Sequence, residues 1–143
     1  MARIKIAVPA NFNFSMNIPI RITDLNYGGH VGNDTVLSLI HEARAQFLQR
    51  YGYEEMEIAG FGLIMVDAGI EYKAELFHGD IVTAHVCAQN FTRMGLDFFY
   101  KLEKDNNGKQ QVVALAKTGM VCFDYKAKKM APLPAEVVTR LSV

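Results

Sequence analysis

The chain lacks an excess of either charge. Its 15 Lys and Arg residues balance 15 Asp and Glu, so the formal net charge is zero. No whole-molecule field is present to draw in nucleic acid, and only a local basic patch could do so. Cysteine is scarce: Cys87 and Cys122 are the only 2. Both fall inside apolar strand patterns, where a cysteine behaves as a small buried hydrophobe in a reducing compartment. No apolar run approaches the roughly 20 residues of a membrane span. The opening stretch MARIKIAVPANF has neither the h-region nor the small-residue cleavage site of a secretory signal. A cytoplasmic protein with no membrane or nucleic-acid partner is expected. Internal repeats, low-complexity segments and linkers are missing as well. His41, His78 and His85 show no ligand spacing with one another or with either cysteine, so no metal site is expected.

What is present fits an ordinary globular chain. Hydrophobic residues make up 50% and charged residues 21% of 143 residues, which predicts one domain over residues 1–143. A chain of this size buries roughly two-thirds of its unfolded surface and needs no disulfide or metal staple.

The organising stretch is Arg21–Gly52, RITDLNYGGHVGNDTVLSLIHEARAQFLQRYG. A polar loop with Gly28, Gly29 and Gly32 runs into a helix predicted from Asn33 to Tyr51. Val36, Ile40, Ala43 and Phe47 recur at helical spacing, and Leu37, Leu39 and Leu48 widen the stripe. Asn33 or Asp34 suits the N-cap, and Gly52 suits the C′ position. Glu42 and Arg44 read as a solvated or intersubunit face. The loop gathers Asp24, Asn26, His30 and Asn33 where a helix start offers free backbone N–H groups and partial positive charge.

Strands flank this stretch. Residues 12–22 alternate apolar and polar side chains, with Phe12, Phe14, Met16, Ile18, Ile20 and Ile22 on one side. Pro19, which has no N–H, predicts an edge strand or a bulge. After a polar connection at Glu54–Gly60, strands are predicted at Ile64–Lys73, Ile81–Phe91, Leu96–Glu103 and Gln111–Tyr125. Asp105-Asn106-Asn107-Gly108 marks a hairpin. A short helix, Ala135–Leu141, closes the chain. Strand, helix, then four strands in hairpin succession predict an α+β fold with an antiparallel sheet curled around one long helix.

The ordered elements and the loop residues resemble the hotdog-fold acyl-CoA thioesterases of the 4-hydroxybenzoyl-CoA thioesterase type. That family's loop reads roughly D-x-D-x-x-G-H-V-N-N and leads to E-A-R on the helix. Here the letters are Asp24-Leu25-Asn26-Tyr27-Gly28-Gly29-His30-Val31-Gly32-Asn33, then Glu42-Ala43-Arg44. The resemblance implies a hotdog fold of five to six strands and an acyl-CoA thioester lying across a dimer interface. It also implies hydrolysis assisted by a carboxylate, with no cofactor beyond the coenzyme A carried by the substrate.

Thioester hydrolysis builds an oxyanion, and fixed N–H donors at a helix start stabilise it; by position these are Asn33, then Asp34. The chain departs from the family at Asn26, which stands where the usual carboxylate is. An amide can orient water but cannot take a proton at neutral pH. Asp24, His30 and Glu42 are the remaining bases; histidine is the residue type that changes charge near neutrality. The family's basic turn between the third and fourth strands, which meets coenzyme A phosphates, keeps Arg93. Lys126, Lys128 and Lys129 read as a soluble turn. Two alternatives remain open. One is a hotdog protein that binds acyl-CoA or acyl carrier protein without hydrolysing it. The other is an enoyl-CoA hydratase or dehydratase, whose D-x-N-P-x-H pattern is approached by Asp24, Asn26 and His30. An edge strand free to pair with itself implies a homodimer or homotetramer.

Overall fold

The computed structural model describes residues 1–143. In chain order the elements are β1 (Phe14–Pro19), a 3-10 turn (Ile22–Asp24), α1 (Asn33–Arg50), β2 (Gly62–Tyr72), β3 (Ile81–Gln89), β4 (Gly95–Asn106), β5 (Lys109–Asp124), β6 (Lys129–Met130) and α2 (Ala135–Leu141). The strands form one sheet in the order β1-β3-β4-β5-β2, with the short β6 also beside β5. Every pairing is antiparallel. This is the hotdog arrangement, with the sheet curled around α1.

The buried face of the helix and its C-terminal end follow the residue pattern closely. Ile40, Ala43, Phe47 and Leu48 are fully buried. Phe47 meets Phe14 and Phe98 edge-on, each at 5.8 Å between ring centroids. Alanines at 84, 88, 114 and 116 on the facing strands are buried too, and their small side chains let the helix lie close to the sheet. Burying a phenylalanine at such a site contributes about 2–3 kcal/mol. At the C-terminus Gly52 has φ +84°. The N–H of Tyr53 bonds the Leu48 carbonyl, and that of Gly52 the Gln49 carbonyl, which closes the helix in a Schellman motif. Leu37 departs from the predicted stripe, at 42% exposed.

Several expectations are corrected. The N-cap is Gly32, with no side-chain cap, one residue before the two polar candidates. Arg44 does not face solvent; it is 3% exposed. Its Nε donates to Glu55 at 2.6 Å and its Nη1 to the Tyr100 hydroxyl at 3.1 Å. That hydroxyl in turn pairs with Thr118 at 2.8 Å. Burial alone would lower the Arg44 pKa, but Tyr100 and Glu55 more than offset it and leave it raised. The first strand is shorter than its alternation. Phe12 lies against His85 at 5.8 Å, and Ile22, in the 3-10 turn, is 66% exposed.

The strands after α1 do not all run in hairpin succession. β3, β4 and β5 do, and Asn107 and Gly108 both take positive φ, as a two-residue type I′ turn requires. β2, however, pairs with β5 on the far edge. Both sides of β3 are occupied, by β1 and β4, so β2 cannot sit beside it. The connection from Lys73 to Asp80 must therefore cross the end of the sheet. It is pinned there by Lys73 and Ala74 N–H groups on the Val113 carbonyl and by the Val31 N–H on the Leu76 carbonyl. Leu76, 2% exposed, plugs the core at this end.

The buried Arg44 network should respond steeply to loss of one partner. Glu55→Ala leaves the guanidinium short of its counter-charge and is expected to destabilise by about 2–3 kcal/mol; Tyr100→Phe removes one hydroxyl and is expected to cost about 1–2 kcal/mol. Chemical denaturation of both variants checks the ordering.

A second expectation concerns acid. Lys117 holds the Asp67 carboxyl below its usual pKa, with help from the Gly119 N–H. A folded-state pKa lower than the unfolded one adds stability above the unfolded value, lost as pH falls through the folded value. Asp67→Asn should therefore lose less thermal stability than the parent chain between neutral pH and pH about 3.

Candidate functional site

The loop between β1 and α1 is tied down at three points. The Asp24 carboxylate accepts the Arg21 N–H at 2.8 Å and closes the 3-10 turn. Asn26 Oδ1 accepts the Gly28 N–H at 2.8 Å, while the Asn26 N–H bonds the His30 carbonyl. A Leu25–Val31 bridge closes the base. Tyr27 at the loop tip is fully exposed. This folding delivers Val31 and Gly32 to the helix start.

Because Gly32 has no side chain, nothing from the cap position covers the first turn. The Thr35 and Val36 N–H groups bond the Gly32 carbonyl, whereas those of Asn33 and Asp34 meet no acceptor. These are orphan donors at the positive end of an 18-residue helix, the arrangement that binds oxyanions.

A cavity of about 340 Å³ opens beside them. Its apolar wall is Val31, Val36, Ala74, Leu76 and Val113; its polar rim is His30, Asn33, Tyr72, Lys73 and Glu75. His30 Nδ1 lies 3.2 Å from the Val31 carbonyl. With the proton on Nδ1 donated there, Nε2 keeps its lone pair. Glu75 Oε1 stands 3.7 Å from Nε2. The Tyr72 hydroxyl donates to the Asn33 carbonyl at 2.8 Å. Burial, with a smaller push from the Asp34 carboxylate, raises the Tyr72 pKa, which keeps the phenol protonated. No three His, Cys, Asp or Glu side chains converge on a metal position.

The residues singled out from the sequence separate into three places. His30 and Asn33 meet at this cavity. Asn26 stands beside the helix start, its Cβ 3.6 Å from where a Gly32 Cβ would be. Asp24 is elsewhere: 7% exposed, it lines a different groove with Arg21, Ser38 and Glu42. Arg93 is at the opposite end of the sheet, in the turn before Gly95. Lys104 of β4 reaches Asp80 and the Glu75 carbonyl at the cavity end. From Gly95 to Lys104 is about 30 Å of extended strand, so one chain does not bring Arg93 to the cavity.

Tyr72, Lys73 and Glu75 have no local signal in the sequence. They reach the rim only because the β2–β3 connection crosses the sheet end. The one sequence clue to that crossing is the apolar pair Leu76-Phe77 just before the polar His78-Gly79-Asp80 turn.

A family model described as the thioesterase-like superfamily matches residues 20–141. A protein of Aquifex aeolicus (strain VF5), provisionally named an esterase, is 28% identical over 112 residues, spanning 77% of this chain and 83% of that protein. Among solved structures, one similar fold is a 4-hydroxybenzoyl CoA thioesterase mutant complexed with 4-hydroxybenzoyl CoA. It has TM-score 0.81 and 18% identity, over 90% of this chain and 98% of that one. Another is the 1,4-dihydroxy-2-naphthoyl-CoA thioesterase from Synechocystis, with TM-score 0.75 and 24% identity, over 90% and 94% of the two chains.

Proposed function

The chain belongs to the thioesterase-like superfamily, and from that premise we propose that it hydrolyses the thioester of a small or medium acyl-CoA at the start of α1. The observation that carries the proposal is the pair of acceptor-free N–H groups of Asn33 and Asp34 beside a cavity with a histidine on its rim. The thioester carbonyl oxygen sits at the Asn33 N–H. His30 Nε2 takes a proton from water, and the hydroxide adds to the carbonyl carbon. The oxyanion is held by the helix N–H groups. Collapse breaks the C–S bond, and the imidazolium returns its proton to the departing thiolate. Asn26 positions the water through its amide NH2. Asp24 serves the loop rather than the reaction. The apolar wall favours a compact hydrophobic acyl group, in keeping with a cavity at the small end of ligand sites.

A second copy of the chain completes the site. The outer edge of β2 is unpaired, and Val66 there is 60% exposed. Two β2 edges joined antiparallel about a two-fold axis turn the Arg93 end of one subunit toward the cavity end of the other. Arg93 then meets substrate phosphates from across the interface.

A second reading has one observation in its favour. Asn26 replaces a carboxylate and its Oδ1 is already engaged by Gly28, which suits a protein that binds acyl-CoA without turning it over.

The deciding experiment is release of free thiol from a panel of acyl-CoA thioesters. His30→Ala is expected to lower kcat by about 10²–10⁴-fold. Asp24→Ala is expected to lose about 1 kcal/mol of stability with kcat nearly intact. Unchanged turnover in His30→Ala would remove His30 as the base; tight CoA binding with no turnover on any substrate would favour the binding protein.

Gly32→Ser tests the helix start separately. The new Cβ displaces the Asp34 carboxylate that now lies over Gly32, and the hydroxyl can then accept an orphan N–H, so kcat is expected to fall about 100-fold, while stability shifts by about 1 kcal/mol or less. Activity and melting temperature measured together check this.

A further inference from the structure

The N-terminal residues do not trail away from the sheet. The Ile6 N–H donates to Glu71 Oε1 at 2.9 Å, linking residues 65 positions apart. The Ile6 side chain rests against Gly69 of β2. This anchor sets Arg3, Ile4 and Lys5 beside the end of β2, where they and Ile70–Lys73 line a second, open cleft of about 530 Å³. Tyr72 and Lys73 line both this cavity and the one at the helix start. The two spaces are therefore neighbours that share a wall.

Their chemistry differs. The cavity at the helix start is walled by apolar side chains, while the second carries Arg3, Lys5 and Lys73 against a single carboxylate, Glu71. Glu71 is already occupied by Lys73 Nζ at 3.0 Å and by the Ile6 N–H. Three cations less one anion leave two positive charges. Neither Arg3 nor Lys5 enters an ion pair with any carboxylate of the chain, and both are exposed. In a molecule of zero net charge, two cations without an ion-pair partner at the lip of the candidate site are a local field for an anion. Guanidinium and ammonium groups suit phosphate oxygens.

We infer that Arg3, Lys5 and Lys73 form the subsite for the phosphate-bearing nucleotide of coenzyme A, with the pantetheine arm passing Tyr72 to the helix start. The inference rests on the proposed reading of the site as one for acyl-CoA. It gives the N-terminal arm a function: Ile6 and Glu71 fix it, and Arg3 and Lys5 hold the ligand. Specificity for a CoA thioester over a nucleotide-free one then resides in the first residues of the chain and not only in the Arg93 turn.

The test uses the full chain, tagged if at all at its C-terminus, with the double substitution Arg3→Ala/Lys5→Ala and the single substitutions Lys5→Arg and Arg93→Ala. Calorimetric binding of free CoA requires no turnover, so it separates this inference from the hydrolysis reading. CoA is expected to bind the double variant about tenfold more weakly than the parent chain. Lys5→Arg should retain affinity, and the salt dependence should be shallower in the double variant. With substrate, KM for acyl-CoA should rise with kcat unchanged, while kinetics on the matching acyl-N-acetylcysteamine thioester stay the same. The inference is overturned by equal CoA affinity in parent and double variant, including no binding by either. It is also overturned by an equal loss on the nucleotide-free thioester, or by a loss confined to Arg93→Ala or to acyl carrier protein substrates.

Discussion

One helix packed in a curled sheet leaves its backbone polarity open only at its ends. The inner face of α1 is occupied by Phe14, Phe98 and the alanine-lined strands, while Leu37, Ser38, His41, Glu42 and Ala45 face outward. Its C-terminus is closed by its own Schellman hydrogen bonds. Its N-terminus is the one place where backbone polarity stays unspent, because the cap residue is a glycine. A serine or aspartate there would serve stability as well or better. The cavity, the acceptor-free N–H groups of Asn33 and Asp34 and the placement of His30 all depend on that open end staying where the packing fixes it.

The same packing explains the crossing segment. With β3 flanked on both sides, the chain between β2 and β3 has to pass over the mouth of the sheet, and Leu76 seals the core beneath it. The residues flanking that plug become the rim. A topological necessity thus supplies Lys73 and Glu75 to a site whose other half comes from the loop before α1. The two halves are joined by the Tyr72 hydroxyl on the Asn33 carbonyl.

Much of this was legible in the residues, and the failures have physical causes. Helix periodicity, the Gly52 stop, the Asn107-Gly108 turn and the terminal helix are local signals, and local geometry obeys them. In an extended segment the alternate side chains of Asp24 and Asn26 would share a side. The chain instead makes a 3-10 turn at Ile22–Asp24, and the carboxylate rotates into its own backbone. A lone arginine on a helix normally reads as surface; the partners of Arg44, Glu55 and Tyr100, lie on two other segments, and Thr118 on a third holds the Tyr100 hydroxyl. Hairpin succession failed for β2 because strand order is a contest for edges, which no single strand's sequence records.

The two rims of the sheet are unequal. β1 is short at 6 residues and ends in Pro19, which has no N–H to give; β2 runs 11 residues with its outer side vacant. A proline on a short rim discourages further strands, and a long vacant rim invites them. Growth by strand addition is thereby one-sided: were two chains to join along the long rims, both remaining borders would be the discouraging kind. Such a pair is self-limiting and has little tendency to extend into a fibre.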